Sequence, residues 1–221
     1  MSGFRTPGPL CGSVAPALDG GTLCRWLTPL PGPMCRVPTA PARQAHRQSV
    51  VGGYPPASMV LGPEGVALLK AVETLRLQAY DDQTSKDITA WVAGATIGYG
   101  HLIPAKQWVT YKAGITETQA DALFAADLAP FETAVRDSIT VGLQQYQFDA
   151  LVIFAFNIGQ GGFKGSAVVK LINDPKATTG HASLEAAWKS WNKSQGKVMK
   201  RLDNRRAAEW RIYTSADYAR W

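Results

Sequence analysis

Residues 144–156 read as a helix with almost no polar side, because Phe148, Leu151, Val152, Ala155 and Phe156 fill most of its surface. A helix of that kind has to be wrapped by other elements. The rest of the chain must therefore supply amphipathic neighbours. Neither this run nor any other reaches the roughly 18–20 uninterrupted apolar residues that a membrane span requires. With 46% apolar and 18% charged residues, the 221-residue chain is globular and long enough to bury a core. No internal repeat at a fixed period is present.

The composition is uneven. Residues 1–58 hold ten of the 14 prolines, all three cysteines, five arginines and a single acid, Asp19. Their net charge is +4, against +2 for residues 59–221, so the basic balance does not point to nucleic-acid binding by the main domain. Proline every few residues breaks any helical or strand period there, and this segment is read as an irregular, disordered extension. Cys11, Cys24 and Cys35 are too widely spaced for a CxxC metal pair. Residues 59–221 are read as a complete domain, with Met59 as a candidate internal start and 1–58 as dispensable. The opening residues lack a charged start followed by an apolar run and a cleavage site, so no secretory signal is read.

In the main domain, Pro63 and Glu64 open a helix that carries Val66, Leu69 and Val72 and ends at Glu73. Leu77–Tyr80, Ile88–Val92 and Ala95–Tyr99 are β-prone, so residues 77–103 are expected to form a small antiparallel sheet. Thr116-Glu117-Thr118-Gln119 reads as a capping box. Pro130 is expected to divide the following pattern into two helices. Gly159, Gly161, Gly162 and Gly165 suggest a loop, Ser166 and Ser183 cap short helices, and 197–213 reads as a basic final helix. The expected class is α+β, a hairpin subdomain placed before a helical lobe.

Glu73 lies four positions after Leu69 and seven after Val66, on their apolar face. Shielding from water favours a protonated carboxyl, the form a general acid needs. The competing reading is an ion pair with Arg76. Asp82, nine positions on, sits in a polar turn and is expected to be hydrated and ionised. A shielded and a hydrated carboxyl facing each other suit glycoside hydrolysis. Asp82 is equally a turn former, and Asp81 and Asp87 are local rivals. Thr96 is placed to turn a hydroxyl toward the same cleft and hold a water.

These residues carry a resemblance. The run from Glu73 to Asp82, followed by Thr96-Ile97-Gly98-Tyr99-Gly100-His101, resembles the signature of phage-type lysozymes, glycoside hydrolase family 24. The likeness continues in Asp149–Gly159 and in Asn204-Arg205-Arg206-Ala207-Ala208-Glu209, and covers about residues 62–213. It implies a lysozyme-like fold and cleavage of the β-1,4 link between N-acetylmuramic acid and N-acetylglucosamine in peptidoglycan. By the same resemblance Glu73 is the general acid, Asp82 the partner carboxylate and Thr96 the residue that positions water. Inversion is the implied course, which needs carboxyls roughly 6.5–9.5 Å apart. Thirteen residues, 83–95, separate Asp82 from Thr96, eight more than the family pattern, which implies a longer hairpin and keeps Asp81 and Asp87 open as bases.

His101 is read as an ion-paired or hydrogen-bonded structural residue, and Trp188 and Trp191 as core rather than sugar-stacking residues. Asn157 with Gly159 either floors the cleft or ends a helix. Lys193, Lys197, Lys200, Arg201, Arg205 and Arg206 form a basic stretch, read as a solvated face that also suits an anionic cell envelope. No cofactor is expected, since two carboxyls and water suffice, and no His/Cys metal spacing is present. The resemblance further implies a monomeric endolysin that collects in the host cytoplasm until a separate membrane lesion releases it. A bacteriocin or secreted effector, and a catalytically silent wall-binding module, are the alternatives.

Overall fold

The computed structural model describes residues 52–221. Residues 1–51, most of the expected extension, lie outside the described residues. The helices in chain order are α1 (Pro63–Glu73), α2 (Trp108–Tyr111), α3 (Glu117–Ser138) and α4 (Gln145–Ile158), then α5 (Gln160–Gly165), α6 (Ala167–Asn173), α7 (Leu184–Lys189) and α8 (Lys200–Ser215). The strands are β1 (Arg76–Asp81), β2 (Ala95–Gly98) and β3 (His101–Leu102), followed by a small hairpin of β4 (Lys193–Ser194) and β5 (Lys197–Val198). The class is α+β, as expected.

Helix α4 is the centre of the molecule. Its residues 148–155 are all buried, and α1, α3, α5 and α8 pack around it. The main core gathers Leu69, Phe124, Phe148, Phe154, Phe163 and Trp188 among others, which fixes Trp188 as a core residue and leaves Trp191 half-buried against it. Local capping chemistry sets the helix starts. Thr116 and Gln119 form the expected capping box, and Ser166 and Ser183 accept from Val169 N–H and Ala186 N–H.

The sheet β1–β2–β3 is antiparallel and covers a second, small core of Ala79, Ala95, Ile97 and Ile103. Its register sets Tyr80 opposite Thr96 and Asp81 opposite Ala95. Residues 88–92 do not form the strand their alternation suggested. β1 is an edge strand, and only the start of the inserted segment pairs with its outer edge before the chain loops away. The segment is held by an isolated Tyr80–Asp87 bridge, an Ile88 N–H to Ala79 O bond and the Trp91 indole on Ile103 O.

Three further expectations are corrected. Pro130 does not divide α3, which runs unbroken because both halves bury apolar residues, Phe124 and Leu128 before it, Ala134 and Val135 after it. That packing outweighs the lost backbone bond. The glycine run 159–165 is a short helix, anchored by the fully buried Phe163. The basic stretch near the C-terminus is not one solvated face, since Arg205 and Arg206 are buried.

The expected boundary at residue 58 also falls within packed structure. Tyr54 and Leu143 exchange two backbone hydrogen bonds at 2.7 and 2.9 Å, and Pro56 is buried.

Candidate active site

Glu73 is the last residue of α1, where the helix stops because Thr74 takes a left-handed φ of 50°. For a β-branched residue this is a strained conformation, the kind a functional site retains. It turns the chain directly into β1. The Glu73 side chain is 28% exposed, so it is shielded on one side only. Its Oε1 lies 3.7 Å from Arg205 Nη1. Arg76, the partner considered from sequence, instead pairs with Asp87.

Behind Arg205 is a buried polar network. Glu209 Oε1 accepts from Arg205 Nε at 3.0 Å and from Arg206 Nη2 at 2.9 Å, while Oε2 accepts the Trp188 indole N–H at 3.0 Å. Arg206 also donates to Asn157 Oδ1 at 2.6 Å. Burial pushes the Glu209 carboxyl up, against the pull of both guanidiniums. Burial likewise lowers Arg206 to about 10, with Glu209 opposing the shift. The bonds that hold Glu209 thereby fix Arg205 beside Glu73.

On the hairpin side, the carbonyl of Gly94 joins two candidate residues. It accepts the Asp82 backbone N–H at 3.1 Å and the Thr96 hydroxyl at 2.9 Å. Gly94 itself has a φ of +95°, and a Cβ there would collide with the Asp82 carboxylate. Only glycine lets that carboxylate lie over the turn. Thr96 is almost fully buried. The three acids of the hairpin differ in what they hold. Asp81 accepts from Gln83 N–H and the Thr84 hydroxyl at 3.0 and 2.8 Å. Asp87 pairs with Arg76. Among the described residues, the Asp82 carboxylate has no hydrogen-bond or ion-pair partner.

Tyr80 links the two sides. Its ring lies 4.3 Å from the Arg76 guanidinium, and it faces Thr96 across the sheet. Burial raises its hydroxyl, Arg76 opposes this, and the charges of Glu73 and Asp82 both add to it. Tyr80 is thus the strand neighbour of Thr96, two residues before Asp82 on the hairpin side. The cleft beside Glu73, about 250 Å³, is lined by Val72, Asn157, Arg201, Leu202, Arg205 and Trp221. Asp82 and Thr96 stand on the hairpin side, outside that lining. A larger neighbouring groove of about 440 Å³ shares Asn157, Arg201 and Leu202 with it and continues along the β4–β5 hairpin.

A family model for phage lysozyme matches residues 70–209. The chain belongs to the phage lysozyme family. The match runs from the end of α1 through Glu209, the closing residue of the buried network. The endolysin of Bacillus phage PZA is 37% identical over 159 residues, which are 71% of this chain and 56% of that one. The endolysin of Salmonella phage P22 is 33% identical over 150 residues, 67% of this chain and 97% of that one. The chain therefore spans a little over half the length of the Bacillus phage relatives it matches and nearly all of the P22 relative. Among solved structures, an endolysin from Escherichia coli O157:H7 phage FAHEc1 superposes with a TM-score of 0.58 at 29% identity, covering 74% of this chain and 98% of that one. The fold is lysozyme-like.

His101 is held as a structural residue, its Nδ1 2.9 Å from Asp127 Oδ2. The residues missed from sequence are Trp221, which no motif marked, and Arg205 as a wall of the cleft. The i, i+4 spacing of Arg205 and Glu209 was the available signal for the latter.

Proposed function

We propose that this chain hydrolyses the β-1,4 bond between N-acetylmuramic acid and N-acetylglucosamine of peptidoglycan, as a phage endolysin. Glu73, in its protonated form, gives its proton to the leaving glycosidic oxygen. Asp82 takes a proton from the water that attacks the anomeric carbon on the opposite face, and the Thr96 hydroxyl orients that water. The carbon–oxygen bond to the leaving sugar breaks as the bond to water forms, so the product inverts. Arg205 balances the carboxylate left on Glu73. The observation that carries this reading is the Asp82 carboxylate, unpartnered among the described residues while its backbone N–H and the Thr96 hydroxyl both donate to Gly94 O and its rivals Asp81 and Asp87 are engaged.

Digestion of purified peptidoglycan tests it. New reducing ends on muramic acid, released first as the α-anomer, support the reading. Ends on glucosamine, or none, overturn it.

The finer biology is part of the same proposal. The protein acts as a monomer and collects in the host cytoplasm until a separately made membrane lesion admits it to the wall. Among the described residues, no helix is long and apolar enough to cross a membrane. Lys193, Lys197, Lys200 and Arg201 have no acidic partner among the described residues, and they draw the enzyme to the anionic envelope with salt-sensitive binding. Removal of residues 1–58 leaves the activity in place. It costs about 1–2 kcal/mol of stability, because the two Tyr54–Leu143 bonds go with it.

A further inference from the structure

Beyond Ser215 the chain folds back toward the cleft. Ala216 takes a left-handed φ of 55°, and Asp217 secures the turn by accepting from Arg211 Nε and Ala219 N–H, both at 3.1 Å. Tyr218 then donates its hydroxyl to Asp149 Oδ2 at 2.6 Å. Asp149 is buried in α4 and also accepts from Gly62 N–H and Gln145 Nε2, each at 2.8 Å. One carboxylate thus ties the tail to α4 and to the start of α1, the helix whose far end carries Glu73. Burial, followed by the bond to Asp149 and its charge, holds the Tyr218 hydroxyl far above its ordinary range, so it stays a donor.

Three residues later, the Trp221 ring lies 4.8 Å from the Arg205 guanidinium and lines the cleft with Glu73. Apart from that ring, Arg205 is held by Glu209 and the Ile153 carbonyl behind it and by Glu73 ahead of it. The aromatic face attracts the cation and covers it. A charge shielded from water acts more strongly on its neighbour.

We propose that the 216–221 tail is a clamp in which Tyr218 pins the segment to Asp149 and Trp221 positions Arg205 against Glu73. Trp221 is then a positioning residue for the proton donor. The inference rests on Glu73 being that donor, as in the reading above. The competing role for Trp221 is direct stacking on a sugar.

Steady-state hydrolysis of purified peptidoglycan by the full chain separates the two. Trp221→Ala and Trp221→Leu are expected to lower kcat about tenfold while KM stays within about twofold. Trp221→Phe, which restores an aromatic face, recovers most of the rate, and Tyr218→Phe lowers kcat by about threefold. Sedimentation with intact sacculi, in the inert Glu73→Gln background, shows unchanged binding when Trp221→Ala is added. Should Trp221→Ala fail to fold, Trp221→Leu keeps the apolar cover and carries the comparison. A raised KM, weaker sedimentation in the Glu73→Gln background, or an unchanged kcat in the Trp221 variants overturns the clamp alone. A wild-type chain that releases no reducing ends overturns the hydrolase reading first and the clamp with it.

Discussion

Glu209 and Glu73 stand on either side of the Arg205 guanidinium, at 3.0 and 3.7 Å, yet Glu209 is fully buried and Glu73 is 28% exposed. At the closed end every oxygen has a donor: two guanidiniums and an indole share the charge. At the open end only one cation approaches, and the other side faces the cleft. The hairpin continues the contrast, with Asp82 left free beside Asp81 and Asp87. A carboxylate that the fold fully satisfies holds helices together, and one left partly unsatisfied is available for a substrate.

The contrast breaks first at the open end. Glu73→Gln is expected to cost at least about a thousandfold in peptidoglycan hydrolysis with the melting temperature nearly unchanged. A large fall in melting temperature would make Glu73 a structural residue instead. The mirror experiment is Glu209→Ala, which leaves buried Arg206 without its counter-charge and Arg205 with Glu73 alone, and should destabilise the fold by about 3–5 kcal/mol in denaturant titration. Asp82→Asn should lower kcat about a hundredfold, while Asp87→Asn, which loses an exposed pair with Arg76, changes it little. The reverse order would move the base to Asp87.

Smaller effects sharpen the comparison. Gly94→Ala forces a side chain against the Asp82 carboxylate at a φ of +95°, and is expected to lower activity about tenfold. Thr74→Gly relieves the left-handed strain next to Glu73 and should raise stability by about 1 kcal/mol, read from the melting curve. If that variant also loses activity, the strain itself aims Glu73.

What the sequence made legible was local. The caps at Thr116, Ser166 and Ser183 are read from residues three apart, and the structure forms each of them. Glu73, Asp82 and Thr96 lie within one hairpin's length, so their spacing survives as a motif. Pro130 misled because its cost is local while the packing that outweighs it is tertiary. Residues 88–92 misled because alternation does not show how far pairing runs: it stops at Ile88, and the Trp91 indole bonds Ile103 O instead. Arg205 and Trp221 reach Glu73 across 132 and 148 residues of chain, a distance over which periodicity carries no signal, whereas Asn157 lines the cleft as one of its two readings expected.

The sheet rests on a small core, Ala79, Ala95, Ile97 and Ile103 with partly buried Ile88, Trp108, Tyr111, Ile115 and Leu123 against them, whereas the helices share the large one around α4. So little buried apolar area places the hairpin at the low end of local stability. Its amides should exchange with deuterium well ahead of those in α4. The turn that carries Asp82 is therefore expected to open locally more readily than the end of α1, so the two sides that hold the candidate carboxylates differ in stiffness.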